Sequence, residues 1–332
     1  MERRGSRLAE LAKRVRGDAS IRASTRRLID RMDRMERSMR SSIEAAGSRP
    51  SPVERSALVE PTTPHLRVLV DEYETWVRSW LDERRPWYTT GATRWLERNV
   101  GSHDVVFEYG AGRSTPWWCE LSTHVTTLEA SPRWIAYLNF YLSERPELLA
   151  RSTMIHVPSD WNPSAPDGFK QYWKEHAPSL RLGMIDELER RYLSIEPARD
   201  TTVLAFDGSI RALTMARWAL DGSFGRPDVV VVDNTENGAT SALAGLVVPD
   251  HERLDFVAGD DDIVPAHQGG KHVTTVFVSP DRARTADRSG ALDDDAPLAA
   301  HQSRPDPSPD EMSEILAGYR RRLGELGIVV GT

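Results

Sequence analysis

The residues of this 332-residue chain that could do chemistry share one habit: each stands at, or just after, the end of a short apolar run. They are Glu108, Gly110, Gly112, Glu129, Asp160, Asp207, Asp233 and Asn234. In Glu108-Tyr-Gly110-Ala-Gly112-Arg-Ser114-Thr115 the glycines let backbone amides approach a ligand that any Cβ would hold off. Glu129 follows Glu108 by 21 residues, about the interval at which an acid meets ribose hydroxyls in βαβ nucleotide sites. A dinucleotide site would want a third small residue where Thr115 stands, so nothing marks this turn as a pyrophosphate cradle. Asp207, Asp233 and Asn234 bring two carboxylates and an amide to the ends of two such runs. The plain reading is that Asp207 caps a helix and Asp233-Asn234 makes a turn. As chemistry, Asp207 or Asp233 could serve directly as a general base.

The elements that must position these residues are legible from pattern. Apolar runs at 104–108, 123–128, 154–157, 202–206 and 228–232 read as strands. Helical stripes follow the first, second and fourth: one after Ser114-Thr-Pro116, one through Trp134, Ile135, Leu138, Tyr141 and Leu142, and one through Leu213, Ala216 and Leu220. Such alternation predicts an α/β fold, a doubly wound, mostly parallel sheet with helices on both faces. Two later runs, Leu254–Ala258 and Val273–Val278, show no convincing helix between them and read as a terminal antiparallel pair, making seven strands. Acids at the carboxyl ends of parallel strands lie where an open sheet binds its ligands.

A domain over 64–280 follows, with a helical lead-in at 64–100 and a Pro- and aromatic-rich lid insertion at 161–200. The lead-in carries a stripe of Leu66, Leu69, Val70, Tyr73, Val77, Trp80 and Leu81. The polar stretch 281–308 reads as a disordered linker, and 309–332 as a C-terminal helix. Ahead of the domain, residues 1–46 form a basic amphipathic segment and 47–63 a linker. Ile21, Leu28, Met32, Met35, Met39 and Ile43 recur near heptad spacing. That stripe could rest on its own domain, pair as a coiled coil in a homodimer through residues 21–43, or lie on an acidic surface; the three readings stay open.

Composition narrows the class. The formal net charge is −7, yet residues 1–49 are strongly basic, so the body is acidic and does not read as a nucleic-acid-binding surface. No stretch approaches the roughly 20 apolar residues of a membrane span. One cysteine and no export signal place the chain by default in the reducing cytoplasm.

Glu-x-Gly-x-Gly-x-Ser-Thr, an acid closing the second strand, Asp207-Gly closing the fourth and Asp233-Asn234 closing the fifth together resemble class I S-adenosylmethionine-dependent methyltransferases. The resemblance spans Trp87 to Ser279 and is most specific over Val105–Trp134. It implies a Rossmann-like methyltransferase fold with an N-terminal helical extension. It implies too that Gly110 and Gly112 pass beneath the methionine part of the cofactor, that Ser114 and Thr115 belong to the cofactor-binding set, and that Glu108 faces its amino end. Glu129 would accept both ribose hydroxyls, and Asp160 would lie near the adenine, although Pro158-Ser159 departs from the usual Gly-Asp there. The acidic corner resembles the catechol-O-methyltransferase-like branch, which implies Mg2+ on Asp207, Asp233 and Asn234. Where that branch has a lysine base this chain has Ile210, with Arg211 next; Arg211 joins Asp207 and Asp233 as a catalytic candidate, though arginine is a poor base.

The expected activity is methyl transfer from S-adenosylmethionine to an oxygen, less readily a nitrogen, of a small-molecule or saccharide acceptor. A nucleotide-dependent oxidoreductase and a non-catalytic scaffold are the alternatives. A bulky residue at Gly110, or Glu129→Ala, is expected to abolish cofactor binding with the fold intact. Cys119 reads as a packed residue, His267 and His272 as exposed loop residues, and most tryptophans as core. Trp87, Tyr88 and Trp161 fall in loops and would wall a pocket.

Overall fold

A computed structural model describes residues 69–157, 188–208, 211–221, 225–236, 238–259, 272–292 and 306–330, together with Asp186, Asp262, Leu298, His301 and Gln302. The basic segment 1–46, the linker 47–63, Asp160, Trp161, His267 and most of the 161–200 insertion lie outside the described residues.

Seven strands form one sheet in the order β3-β2-β1-β4-β5-β7-β6. They are β1 (Val105–Tyr109), β2 (His124–Glu129), β3 (Ser152–His156), β4 (Val203–Phe206), β5 (Val229–Val232), β6 (Glu252–Val257) and β7 (Val273–Val278). The first five run parallel, while β7 lies antiparallel between β5 and β6. The expected late antiparallel pair is therefore present, with the last strand inserted inside the sheet.

The helices are α1 (69–82, with a π-turn at Tyr73–Val77), α2 (Thr90–Asn99), α3 (Ser114–Leu121), α4 (Pro132–Ser143) and the short α5 (Pro146–Leu149). After β3 come α6 (188–194), α7 (Arg211–Leu220), α8 (Gly238–Val247), the short α9 (Pro280–Ala283) and α10 (Pro309–Glu325). Alternation along each strand sends Phe107, Tyr109, Leu128, Leu204, Phe206, Val230, Val232 and Phe277 to one face. There they pack with Tyr192 of α6, Met215 and Trp218 of α7, Leu243 and Ala244 of α8, and Leu316 and Tyr319 of α10. The other face carries α2 against β6 and β7, α3 against β2, and α4 against β2 and β3. Burial on both faces explains why β5 is four valines, all fully buried.

Helix ends follow their chemistry. Ser131 caps α4 by accepting the Trp134 N–H, and Ser308 with Glu311 makes a reciprocal capping box on α10. In α1 the buried Tyr73, Val77 and Leu81 fall one turn apart, as the lead-in stripe predicted.

Two stretches differ from expectation. Helix α8 has no sequence-level counterpart because Gly-Ala-Thr-Ser-Ala-Leu-Ala-Gly-Leu-Val carries no charged face to set against its apolar one. Residues 281–292, expected to open a disordered linker, are instead fastened to the sheet. Arg282 bonds the fully buried Asp104 at 2.7 and 2.8 Å, Asp287 pairs with Arg98 at 2.6 Å, and Leu292 N–H donates to Asp255 O at 2.8 Å. Polar composition hid a segment that turns one charge, Arg282, inward.

Among the described residues no helix is long and apolar enough to cross a membrane.

Candidate functional site

The chain leaves β1 toward β2 and β3, then returns to place β4 on the other side of β1. The connections of β1 and β4 thus leave in opposite directions, and the carboxyl edge at such a switch point is where an open α/β sheet receives ligands. Backbone hydrogen bonds hold both loops in register as they leave: Gly110 N–H donates to Leu128 O, and Asp207 N–H to Tyr109 O, each at 2.9 Å.

Gly110 has φ +102°, open to glycine and costly to other residues. A Cβ there would meet the backbone of Asp207 and Gly208 at 3.0–3.1 Å. Gly110 is thus required by the close approach of two loops, and a bulky replacement would disturb the fold, contrary to the expectation that the fold would stay intact. Gly112 is different: a Cβ added to it would meet nothing within 4 Å. The loop offers open space at that point, which is what a ligand passing over it would need.

Beneath the loop, Glu108 is fully buried. The hydroxyls of Ser114 and Thr115 both donate to its carboxylate, the latter at 2.7 Å, and Thr115 also accepts the Gly112 N–H at 3.2 Å. Burial pushes the Glu108 carboxyl up to about 7, against those hydroxyls, which favour its charged form. Ser114, Thr115 and Glu108 thus form an internal brace that fixes the turn into α3.

Glu129 sits at the end of β2 with its carboxylate drawn toward the same loop. It accepts the Ala111 N–H at 3.0 Å and the Ser131 N–H at 2.5 Å. Burial raises this carboxyl to about 7 too, while the amides oppose the shift.

Asp207, Asp233 and Arg211 come together at the ends of β4 and β5. Asp207 accepts the Gly208 N–H at 2.6 Å, and Arg211 stands 3.5 Å away, one helical turn on. Burial first, then the charge of Asp233, raises its pKa, with Arg211 pulling the other way. Asp233 is almost wholly buried and turns toward the antiparallel strand: its Oδ1 is bonded to His272 Nε2 and accepts from Thr274 Oγ1, both at 2.8 Å. His272, expected to be exposed, is 3 % exposed. Burial opposes its charge, but the bond to Asp233 and the charges of Asp233, Glu236 and Asp262 outweigh that and raise its pKa. The missed signal was position: His272 immediately precedes an all-buried strand, so its side chain enters the core edge along with the strand's own.

The magnesium expectation gains no support from this arrangement. Asp233 is engaged by a histidine and a hydroxyl, Asn234 sits in a left-handed turn with φ +58°, and among the described residues no group of three or more acids, histidines or cysteines could hold a metal. A cation at this corner would compete with His272 for the same carboxylate.

The aromatic residues divide. Trp95 and Trp118 are fully buried, whereas Trp76 and Trp87 are half exposed, and Trp80 joins them with Trp134 and the guanidinium of Arg113. Tyr88, expected to wall a pocket, is 3 % exposed and lies against Trp117 and Trp118 of α3. Cys119 is buried as expected, its thiol pushed up to about 12 by burial.

No family model matches the chain, and no curated protein matches it significantly. Solved structures similar to it include a methyltransferase-like protein from Silicibacter pomeroyi, at 13 % identity and TM-score 0.39 over 70 % of this chain and 98 % of that one. An O-methyltransferase from Bacillus cereus, in complex with SAH, is similar at 18 % identity and TM-score 0.35 over 67 % of this chain and 93 % of that one. The N-methyltransferase NodS from Bradyrhizobium japonicum, in complex with S-adenosylhomocysteine, is similar at 11 % and 0.36 over 65 % and 98 %. Likenesses this distant decide nothing about the chemistry.

Proposed function

We propose that the chain is an S-adenosylmethionine-dependent methyltransferase acting on an oxygen of a small-molecule or saccharide acceptor. The observation that carries this reading is Glu129, whose carboxylate is held 3.0 Å from the amide of Ala111, over a glycine loop with open space at Gly112. A carboxylate so fixed can take two vicinal hydroxyls with its remaining lone pairs. Glu129 would hold the ribose, Gly110, Ala111 and Gly112 the span beyond it, and Ser114, Thr115 and Glu108 would keep that loop in shape.

When bound, the cofactor supplies an activated methyl group, so the protein's task is to align the acceptor and remove its proton. Asp207 is the base this geometry favours. Its side chain is about a third exposed, its pKa is raised, and Arg211 would stabilise the carboxylate's neighbourhood without itself moving a proton. Asp233, tied to His272 and Thr274, would set the field around Asp207 and not touch the acceptor.

The oxidoreductase alternative fares worse. Thr115 closes the start of α3 with bonds to Gly112 and Glu108, and a buried carboxylate lies directly below, which is poor ground for a pyrophosphate. Calorimetric titration with S-adenosylhomocysteine and with NADH tests the choice. Micromolar binding of the first alone supports methyl transfer, and binding of NADH alone overturns it.

A further inference from the structure

The glycine loop between β1 and α3 is held at two points by carboxylates at strand ends. Glu129 accepts the Ala111 N–H at 3.0 Å, and Glu108 accepts the hydroxyls of Ser114 and Thr115. Gly112, between them, has no side chain to be held by, and a Cβ there would meet nothing within 4 Å. The next residue supplies a third tether. The Arg113 side chain is only 4 % exposed and reaches the end of α1. There its guanidinium lies over the Trp80 ring, 4.7 Å from the centroid, and donates to the carboxylate of Glu83. Burying a guanidinium is favourable where it is both stacked and paired, and these two residues meet both needs.

The stack continues to the other side of the loop. Trp80 is tilted against Trp134 at 5.3 Å, in the first turn of α4, and the Trp134 N–H donates to the Ser131 hydroxyl. Ser131 gives its own N–H to Glu129 at 2.5 Å. Arg113, Trp80, Trp134, Ser131, Glu129 and Ala111 thus close a ring of contacts through the loop. An ion pair between Arg84 and Glu120 of α3 fastens the same end of α1 alongside. The lead-in helix stands outside the alternation that builds the sheet, yet it sets the loop's outer edge.

We propose that Arg113 is a positioning residue for the cofactor: clamped by Trp80 and Glu83, it fixes the glycine loop where the amino-acid end of the ligand lies. This rests on the methyltransferase reading above, in which Glu129 holds the ribose and the loop the span beyond it. Loss of the clamp leaves Glu129 its bond from Ser131, and leaves Ser114 and Thr115 on Glu108. The ribose end of the site therefore stays, and the span beyond it loses its outer tether. The fold loses little, because Glu83 is 55 % exposed and returns to water when the guanidinium is removed.

The test compares wild-type protein with Arg113→Met, which keeps an unbranched apolar stem, Arg113→Lys, which keeps the charge, and Glu83→Gln, a change at an exposed carboxylate. Each is titrated with S-adenosylhomocysteine and with 5′-methylthioadenosine, which lacks the amino-acid end, and each is melted. Arg113→Met should bind S-adenosylhomocysteine about tenfold more weakly and 5′-methylthioadenosine within about twofold of wild type, with a melting temperature within about 4 °C. Arg113→Lys should recover to within about threefold of wild type, and Glu83→Gln should lose about threefold, for S-adenosylhomocysteine alone. Equal loss for both ligands, unchanged affinity in Arg113→Met, or earlier melting with affinity intact would each overturn the assignment, because each makes the clamp structural or idle. If Arg113→Met does not fold, Glu83→Gln decides, and an equal or absent loss there overturns the assignment. Failure of the wild-type protein to bind either ligand would overturn the cofactor reading itself, an outcome distinct from the others.

Discussion

Gly110 and Gly112 are two residues apart, and the same substitution should act on them in opposite ways. At Gly110 an alanine must adopt φ near +102° and place its Cβ 3.0–3.1 Å from three backbone atoms of Asp207 and Gly208. Backbone strain of this kind costs about 1–3 kcal/mol. The contact adds to it, because backbone on the facing loop is held by the Asp207 N–H to Tyr109 bond and cannot swing aside as a side chain would. Together these give a loss of about 2–4 kcal/mol, or roughly 5–15 °C in melting temperature for a domain of this size. At Gly112 the Cβ meets nothing within 4 Å, so Gly112→Ala should change stability by no more than about 0.5 kcal/mol. On the proposed function the methyl group would enter the path of the cofactor, and affinity for S-adenosylhomocysteine should drop at least about fivefold. Differential scanning calorimetry and isothermal titration on the two variants separate these effects. A Gly110→Ala protein that melts with wild type would refute the steric reasoning. A Gly112→Ala protein that binds as wild type would remove the loop from the site.

The remaining predictions concern charge. Glu129 must be ionised to accept two hydroxyls, so S-adenosylhomocysteine affinity should rise as pH passes upward through about 7, the value to which burial raises this group; calorimetry at pH 6 and pH 8 gives the sign. Conversely, Glu108 and Glu129 keep their protons in the folded state up to about 7, while the unfolded chain releases them near the ordinary 4.5. Their linkage therefore lowers stability as pH rises between those values and adds nothing above, a trend that urea midpoints at pH 5 and 7.5 would check, and that should vanish in the double Gln variant. Arg282→Ala strands the buried Asp104 and should destabilise by about 3–5 kcal/mol, read as a shift in the urea midpoint. Because Asp233 is engaged by His272 and Thr274, a chelator should leave S-adenosylhomocysteine affinity unchanged; a magnesium-dependent gain would show that the corner opens to admit a metal.

The sheet and most of its helices were legible because apolar runs ending in acids mark parallel strands wherever the sheet is covered on both faces. Val229–Val232 and the Glu108–Thr115 turn needed no tertiary knowledge. What escaped was set by contacts distant in sequence. His272 is buried because it enters β7 beside Asp233, 39 positions earlier. Arg282 looks like linker until Asp104, 178 positions away, is found beneath it. Gly110 and Gly112 look alike as letters and differ only in what stands opposite each. Helix α8 was hidden by its own composition, small residues giving no contrast between its faces. Asp207 and Asp233 do meet at the ends of β4 and β5, but a list of donors cannot show that one of them already faces an imidazole.

The position of β7 has a consequence for how the chain is made. It is last among the strands in sequence, yet it lies between β5 and β6, so neither neighbour can complete its pairing until residues 273–278 have left the ribosome. During that interval β5 presents a bare edge of four consecutive valines, and β6 has no partner in the sheet. Bare apolar edges of this kind invite pairing with other chains. At roughly 5–20 residues per second, the 40 positions separating Val232 from Val273 take several seconds to synthesise. Nascent chains halted before Val278 should therefore aggregate or recruit holdase chaperones, while those released after it should fold.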